Sequence, residues 1–216
     1  MPGAFLSFEG IDGSGKSTQA RLLAEALRAR GLIVCHTREP GGSPGAEDIR
    51  RLVLEGAADR WSTETEILLF TAARRDHLEK TIRPALNRGE VVICDRFADS
   101  TRIYQGATRG DLAAMVDRLH ALMIATEPDL TLLIDIDAAE GLRRATSRPG
   151  KELRFEGMGL TLQQKARAGF LALAAAQPRF AVIDGARDLA QVQANVLAHV
   201  LAHLAHLAHP AHPDSP

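Results

Sequence analysis

The chain has 216 residues, 45% of them hydrophobic and 25% charged, with 26 Lys+Arg against 27 Asp+Glu and a formal net charge of -1. That length suits one domain with a sizeable core, and the near-neutral balance argues against a non-specific grip on nucleic acid, which needs a basic excess. The basic residues are lopsided, 22 Arg to 4 Lys; Arg offers a planar fork suited to phosphate, although codon bias produces such a ratio too.

In chain order, the apolar run Ala4–Glu9 reads as a buried strand. Ser17–Arg30 follows as a helix, with Ala20, Leu23, Ala24 and Leu27 on one face at the 3, 4, 7 spacing. Leu32–Thr37 is the next strand and Ala46–Leu54 a short helix. Thr63–Asn87 reads as a long helix with Ile67, Leu68, Phe70, Thr71 and Leu78 on its apolar side, bent or interrupted at Pro84. Strands at Val91–Asp95, Leu130–Asp135 and Phe180–Asp184 alternate with helices at Asp111–Thr126, Ala138–Ser147 and Leu160–Ala176, and a last helix starts near Leu189.

Continuous apolar strands alternating with helices indicate a parallel sheet covered on both faces, because parallel neighbours need crossover connections. The expected fold is α/β, three-layered, with five parallel strands and helices on both sides. Residues 1–205 are expected to form one domain. Cys35 and Cys94 lie in apolar runs and read as buried thiols. The opening residues lack the pattern of a secretory signal, and no run reaches the roughly 18 apolar residues of a membrane span. A cytoplasmic protein with no membrane partner is therefore expected.

Ligands of such sheets bind beyond the carboxyl ends of the strands. The first strand runs into Gly10-Ile11-Asp12-Gly13-Ser14-Gly15-Lys16-Ser17, which fits G-x-x-x-x-G-K-[ST] between a strand and a helix. Its glycines let successive N–H groups face phosphate oxygens, Lys16 reaches the outer phosphates, and Ser17 suits Mg²⁺. The motif implies a bound nucleoside triphosphate but leaves the reaction open. No guanine-reading N-K-x-D occurs in the chain. Asp95 ends the third strand beside the loop and is the favoured partner for Mg²⁺ through water, with Asp135 as its rival. The turn Thr37-Arg38-Glu39-Pro40-Gly41-Gly42-Ser43 is expected to display Arg38 and Glu39 at the sheet edge.

Together with the phosphate loop and that Thr-Arg-Glu-Pro-Gly-Gly turn, three further motifs carry a resemblance. They are Phe70 with Ala72-Ala73-Arg74, Asp95-Arg96-Phe97, and Ser100-Thr101 leading to Tyr104-Gln105-Gly106. In order and spacing the chain closely resembles the thymidylate kinase family over roughly residues 4 to 185. The resemblance implies a P-loop nucleoside monophosphate kinase that transfers the γ-phosphoryl of ATP to dTMP with Mg²⁺, working as a homodimer. It implies that Arg96 clamps the acceptor phosphate with Arg38 and Arg50 nearby, and that Phe70 stacks on thymine while Arg74 bonds its O4. Ser100, Thr101 and Gln105 would line the acceptor, Tyr104 would exclude a 2′-hydroxyl, and Asp12 would hold the 3′-hydroxyl. The whole loop from Gly10 to Ser17, with Thr18 and Arg143, would contact ATP.

The segment from about 148 to 157 contains Arg148-Pro149-Gly150-Lys151 and Arg154, a composition suited to a closing lid. Family members keep a catalytic arginine either in the phosphate loop or in the lid. Here the loop position is Gly13, so the resemblance implies the lid type, with Arg148 and Arg154 as candidates beside Lys16, Asp12 and Arg96. His199, His203, His206, His209 and His212 crowd the C-terminus, and residues 206–216 are expected to be a disordered His/Pro-rich tail. Two alternatives remain: a kinase for another nucleoside monophosphate and, less favoured, a metallochaperone with a histidine tail.

Overall fold

In the computed structural model, residues 3–57, 59–108, 111–147 and 159–208 are described. Strand β1 (Ala4–Glu9) is buried throughout. It pairs in parallel with β3 (Val91–Asp95) on one side, Ala4 facing Val91, and with β4 (Leu130–Asp135) on the other, Leu6 facing Leu130. The edge strands β2 (Val34–Arg38) and β5 (Phe180–Asp184) complete a five-stranded parallel sheet in the order β2-β3-β1-β4-β5. Because the chain steps from β3 across β1 to β4, a crevice opens at the carboxyl end of β1, where such sheets bind ligands.

The period of two along β1 sorts its side chains between two layers. Ala4, Leu6 and Phe8 pack with Leu23 and Leu27 of α1 (Lys16–Arg28) and with Val192, Val196 and Val200 near the C-terminus. Phe5 turns to the other face and meets Leu78, Ile82 and Phe97. Ser7 lies on that face too, its hydroxyl 2.9 Å from that of Thr131. Each fully buried Leu or Phe contributes about 1.5–3 kcal/mol by leaving water, so this stripe holds α1 and hence the loop before it.

Helix α2 (Pro44–Leu54) follows β2. Helix α3 (Thr63–His77) is capped by the Ser62 hydroxyl, which accepts from the Thr65 N–H. It passes into a π-helical turn at Leu78–Ile82 and then α4 (Arg83–Asn87). Pro84 therefore does not end the long helix; the wider turn just before it absorbs the missing N–H. Beyond β3 come a short helix α5 (Ala98–Thr101) and a second π-helical stretch, Arg102–Ala107, neither of which the periodicity indicates. Helices α6 (Ala113–Met123), α7 (Ala138–Thr146), α8 (Gly159–Ala176) and α9 (Leu189–Ala208) complete the described chain.

Several expectations shift. Strand β2 starts two residues later than its apolar run, leaving Ile33 70% exposed, because an edge strand needs less cover than a central one. Cys35 is accordingly half-buried, whereas Cys94 is buried; both are free thiols. Leu68, placed on the apolar side of α3, is exposed. The domain boundary expected at 205 falls inside α9, which carries His199, His203 and His206; His209 and His212 lie outside the described residues. Among the described residues no helix is long and apolar enough to cross a membrane.

Candidate functional site

At the end of β1 the backbone turns through three left-handed glycines, Gly10 (φ 136°), Gly13 (φ 76°) and Gly15 (φ 97°). Gly15 is the N-cap of α1, so the helix begins at Lys16 with its N–H groups facing the loop. Lys16 is buried and donates to the Ile11 carbonyl at 2.8 Å. Burial and then the nearby Arg96 pull its ammonium down to about 8, against the attraction of Asp12, Asp95 and Glu9. Ser17 is exposed at the same mouth.

Gly13 answers the question of the loop arginine. A Cβ there would meet the Gly141 carbonyl oxygen at 2.0 Å, and its φ disfavours any side chain. Gly141 of α7 is equally tight, since its own Cβ would lie 2.8 Å from the Asp12 carbonyl oxygen. Loop and helix touch backbone to backbone, which leaves no room for an arginine at 13.

Beside the loop, β3 ends in Asp95 and Arg96. Arg96 has φ 69°, a left-handed backbone that costs a non-glycine residue about 1–3 kcal/mol and marks functional sites. Its guanidinium ion-pairs with Asp12 and donates to the Gly10 carbonyl (3.2 Å) and to Ser100 Oγ (2.9 Å). Burial opposes ionisation of Asp12, but Arg96 and Lys16 outweigh it and hold its carboxyl below the usual range. Asp95 Oδ1 is buried without a hydrogen-bond partner among the described residues. Asp135, by contrast, is occupied by Arg167, which donates to its two oxygens at 2.7 and 2.9 Å. An acidic oxygen waiting for a partner beside Lys16 and Ser17 fits a hydrated Mg²⁺ at Asp95, not Asp135.

A cavity of about 260 Å³ opens from this loop toward α3. Asp12, Gly13, Gly15, Lys16, Ser17, Asp95 and Arg96 line one end, and Arg38, Arg50, Phe70, Arg74, Ser100, Thr101, Tyr104 and Gln105 are among those that line the remainder. The structure thus gathers onto one surface residues from five separate segments. Tyr104 lies under Arg96, whose guanidinium carbon is 5.3 Å from the ring centre. Arg38 pairs with Glu47 at 3.1 Å at the exposed rim, and Arg50 donates to the Pro40 carbonyl at 2.6 Å. Gln105 is buried and donates to Glu66 at 3.2 Å. Arg143 is apart from these: it is exposed on α7, pairs with Glu140 at 2.8 Å, and does not line the cavity. Gly10, Ile11, Ser14 and Thr18 belong to the loop and first helical turn without lining the cavity. Arg148, Arg154 and the rest of the expected lid lie outside the described residues.

Two supporting residues escape sequence reasoning, and a third, Glu9, is legible only as a charged strand end. Glu39 is not displayed at the edge with Arg38: it is buried, accepts from Arg74 Nε at 2.7 Å and forms the cavity wall. An apolar wall cannot hold a lone Arg74, so a carboxylate must come inward with it. Gln163 of α8 donates to Asp12 at 3.3 Å across 151 positions of sequence, a distance no local pattern reveals. Glu9, the last residue of β1, accepts from the N–H groups of Phe97 (2.8 Å) and Ser100 (3.3 Å) and from the Ser100 hydroxyl (2.6 Å). Burial and then Asp99 push its carboxyl up to about 7. A charged residue ending a fully buried strand was the available signal.

Glu39, His77 and Cys94 place three metal-ligating atoms within 4.8 Å of one another. Those atoms are already used. His77 bonds Glu39 through Nδ1 and Thr37 through Nε2, Glu39 also takes Arg74, and the Cys94 thiol donates to the Arg96 carbonyl. Burial holds that thiol well above its ordinary range, so the thiolate a metal needs is disfavoured. The cluster is a hydrogen-bond network.

Comparison with known proteins agrees with this geometry. A sequence model of the family described as "Thymidylate kinase" matches residues 8–196. The chain is 70% identical over 203 residues to a thymidylate kinase of Ruegeria pomeroyi, covering 94% of this chain and 96% of that one. It is 52% identical over 204 residues to the thymidylate kinase of Caulobacter vibrioides, covering 94% and 98%. The crystal structure of thymidylate kinase from Ehrlichia chaffeensis is similar with a TM-score of 0.73 and 37% identity, covering 93% of this chain and 99% of that one.

Proposed function

The chain belongs to the thymidylate kinase family, and from that premise we propose how its cavity carries out the family's reaction. The enzyme transfers the γ-phosphoryl group of ATP to dTMP, giving dTDP and ADP. The observation that carries the residue-level reading is the one continuous cavity joining Lys16 and Ser17 to Arg96, Phe70 and Arg74.

ATP lies with its phosphates against Gly10–Thr18, held by loop N–H groups, the start of α1 and Lys16. The dTMP phosphate meets Arg96, with Arg38 and Arg50 at the rim; the thymine ring lies on Phe70 with its O4 toward Arg74. Thr101 and Gln105 flank the base, Ser100 supports Arg96, Tyr104 closes the space a 2′-hydroxyl needs, and Asp12 takes the 3′-hydroxyl. A dTMP phosphate oxygen then attacks the γ-phosphorus in line. The new P–O bond forms as the bond to the β-phosphate bridging oxygen breaks, and ADP leaves with that electron pair. Such a transition state needs positioning and charge stabilisation rather than covalent chemistry. Lys16 and Arg96 converge on that charge from two sides, with Arg148 or Arg154 of the lid completing it, while Arg143 would meet ATP from the exposed side of α7. Ser17 directly and Asp95 through water would hold Mg²⁺, which supplies charge neutralisation between the phosphates when bound.

The proposal extends to a single domain that runs to the end of α9 at Ala208, a role-free tail after it, a cytoplasmic setting and a homodimer. Support for the dimer comes from α3 and α6, adjacent helices that expose Leu68, Met115, Leu122 and Met123. The test of function is product analysis. With ATP and Mg²⁺, dTMP should yield dTDP and ADP in equal amounts, with ADP negligible when dTMP is omitted; ADP release independent of acceptor would contradict the reading.

A further inference from the structure

Arg74 is a buried cation whose neighbours fall on more than one segment of the acceptor wall, and its geometry leaves a specific nitrogen over. Nε donates to Glu39 Oε2 (2.7 Å), while Nη2 donates to Thr101 Oγ1 (3.0 Å) and to the Phe97 carbonyl (3.2 Å). The guanidinium also stands over the Phe97 ring, 5.2 Å from its centre. Nη1 has no protein partner among the described residues. A planar guanidinium with two of its nitrogens fixed has its third fixed as well.

What fixes Glu39 lies one step further from the cavity. His77, the last residue of α3, is fully buried and does not line the cavity. Its Nδ1 is 3.1 Å from Glu39 Oε1 and its Nε2 2.7 Å from the Thr37 hydroxyl. A carboxylate can only accept, so Nδ1 carries a proton and donates to Glu39, while Nε2 shares a hydrogen bond with the Thr37 hydroxyl. The Pro-Gly-Gly turn seals this pair: a Cβ on Gly42 would lie 2.4 Å from His77 Nε2 and 2.4 Å from Thr37 Oγ1. Thr81 then donates to the Gly42 carbonyl at 2.7 Å, tying the turn to the π-helical turn after α3.

We propose that His77 is a positioning residue for recognition of the acceptor base, acting through Glu39 on Arg74. By occupying Glu39 Oε1, His77 keeps that oxygen from competing for the Nη2 hydrogens of Arg74. Nη2 therefore stays on Thr101 and Phe97, and Nη1 stays turned to the base. Remove the imidazole, and Glu39 Oε1 is a buried acceptor without a donor; it draws Nη2 to itself and rotates the fork. The inference rests on the proposed contact between Arg74 and thymine O4.

The test compares kcat/KM for dTMP with that for 5-methyl-dCMP, whose amino group replaces O4, in His77→Phe and His77→Asn. His77→Phe removes both ring nitrogens at similar volume, whereas His77→Asn keeps a donor where Nδ1 stood. His77→Phe is expected to cut the preference for dTMP by about 10-fold or more, the weight of one hydrogen bond to a charged group, with KM for ATP changed less than about twofold. His77→Asn should restore most of the preference. Equal loss of preference in both variants would overturn the proposal, as would a parallel rise in KM for ATP and dTMP with preference intact. Arg74→Ala separates the two readings. If it leaves the preference unchanged, the O4 contact is wrong; if it abolishes the preference while His77→Phe does not, only the role of His77 is wrong.

Discussion

The two ends of the cavity are built from different materials. At the donor end the work is done by backbone: three left-handed glycines, a helix start at Lys16, and a loop pressed against Gly141 so closely that Gly13 has no room for a side chain. At the acceptor end it is done by buried charge, with Arg74 and Glu39 held by partners from distant segments, His77 among them, while Arg96 and Asp12 pair where the two ends meet. Backbone geometry recognises any triphosphate, because every nucleotide presents the same oxygens. Side-chain networks can tell one monophosphate from another, because each donor and acceptor is fixed in place. The difference assigns reaction class to one end and substrate choice to the other.

Removing the lysine of the donor end should have the largest effect. Lys16→Ala is expected to lower kcat by about 10²–10³-fold, the cost of one preorganised donor, with dTMP affinity, read by calorimetry, nearly unchanged. Next in size is Glu39→Ala, which leaves Arg74 as an uncompensated buried charge. Urea unfolding should show a loss of about 3–5 kcal/mol, whereas a loss below about 1 kcal/mol would mean water reaches the pair. Gly13→Ala should then cost about 1–3 kcal/mol of strain, seen as a lowered Tm and weaker ATP binding, with dTMP binding retained.

A smaller effect follows from the titration of Lys16. Its ammonium is held near 8 in the free enzyme by burial and by Arg96, and bound phosphate must raise that value. ATP binding should therefore take up a proton above pH 8, and affinity should fall as pH rises through 8, by up to about tenfold per unit. Calorimetry in buffers of different ionisation enthalpy measures that proton directly; no uptake at pH 8.5 would place Lys16 away from the phosphates. Least of all for stability, Leu122→Glu on α6 should change the unfolding free energy by under about 1 kcal/mol yet convert the proposed dimer to monomer in light scattering.

The same contrast explains what could be read from the chain. The phosphate loop is legible because eight consecutive residues carry the whole device, and the sheet is legible because its central strands are continuous apolar runs. Edge strand β2 reads two residues too early because Leu32 and Ile33 are apolar, although Leu32 only partly packs on the core and Ile33 is exposed. Arg74, Arg96 and Phe70, placed by motif resemblance, line one cavity, while most of their supports have no motif to place them. Glu39 looks like a displayed turn residue until Arg74, 35 positions later, is seen to need it. Gln163 reaches Asp12 only once α8 folds back over the loop. Long-range pairing of buried charges leaves no local period to read.

The most direct test of the division between the two ends is acceptor selectivity in Arg74→Ala at saturating ATP. The parent enzyme should prefer dTMP over 5-methyl-dCMP by at least about 10²-fold in kcat/KM. Arg74→Ala should collapse this preference toward unity while KM for ATP stays within about twofold. A preference that survives the substitution, or a KM for ATP that rises with it, would contradict the claim that buried side chains at the acceptor end select the substrate.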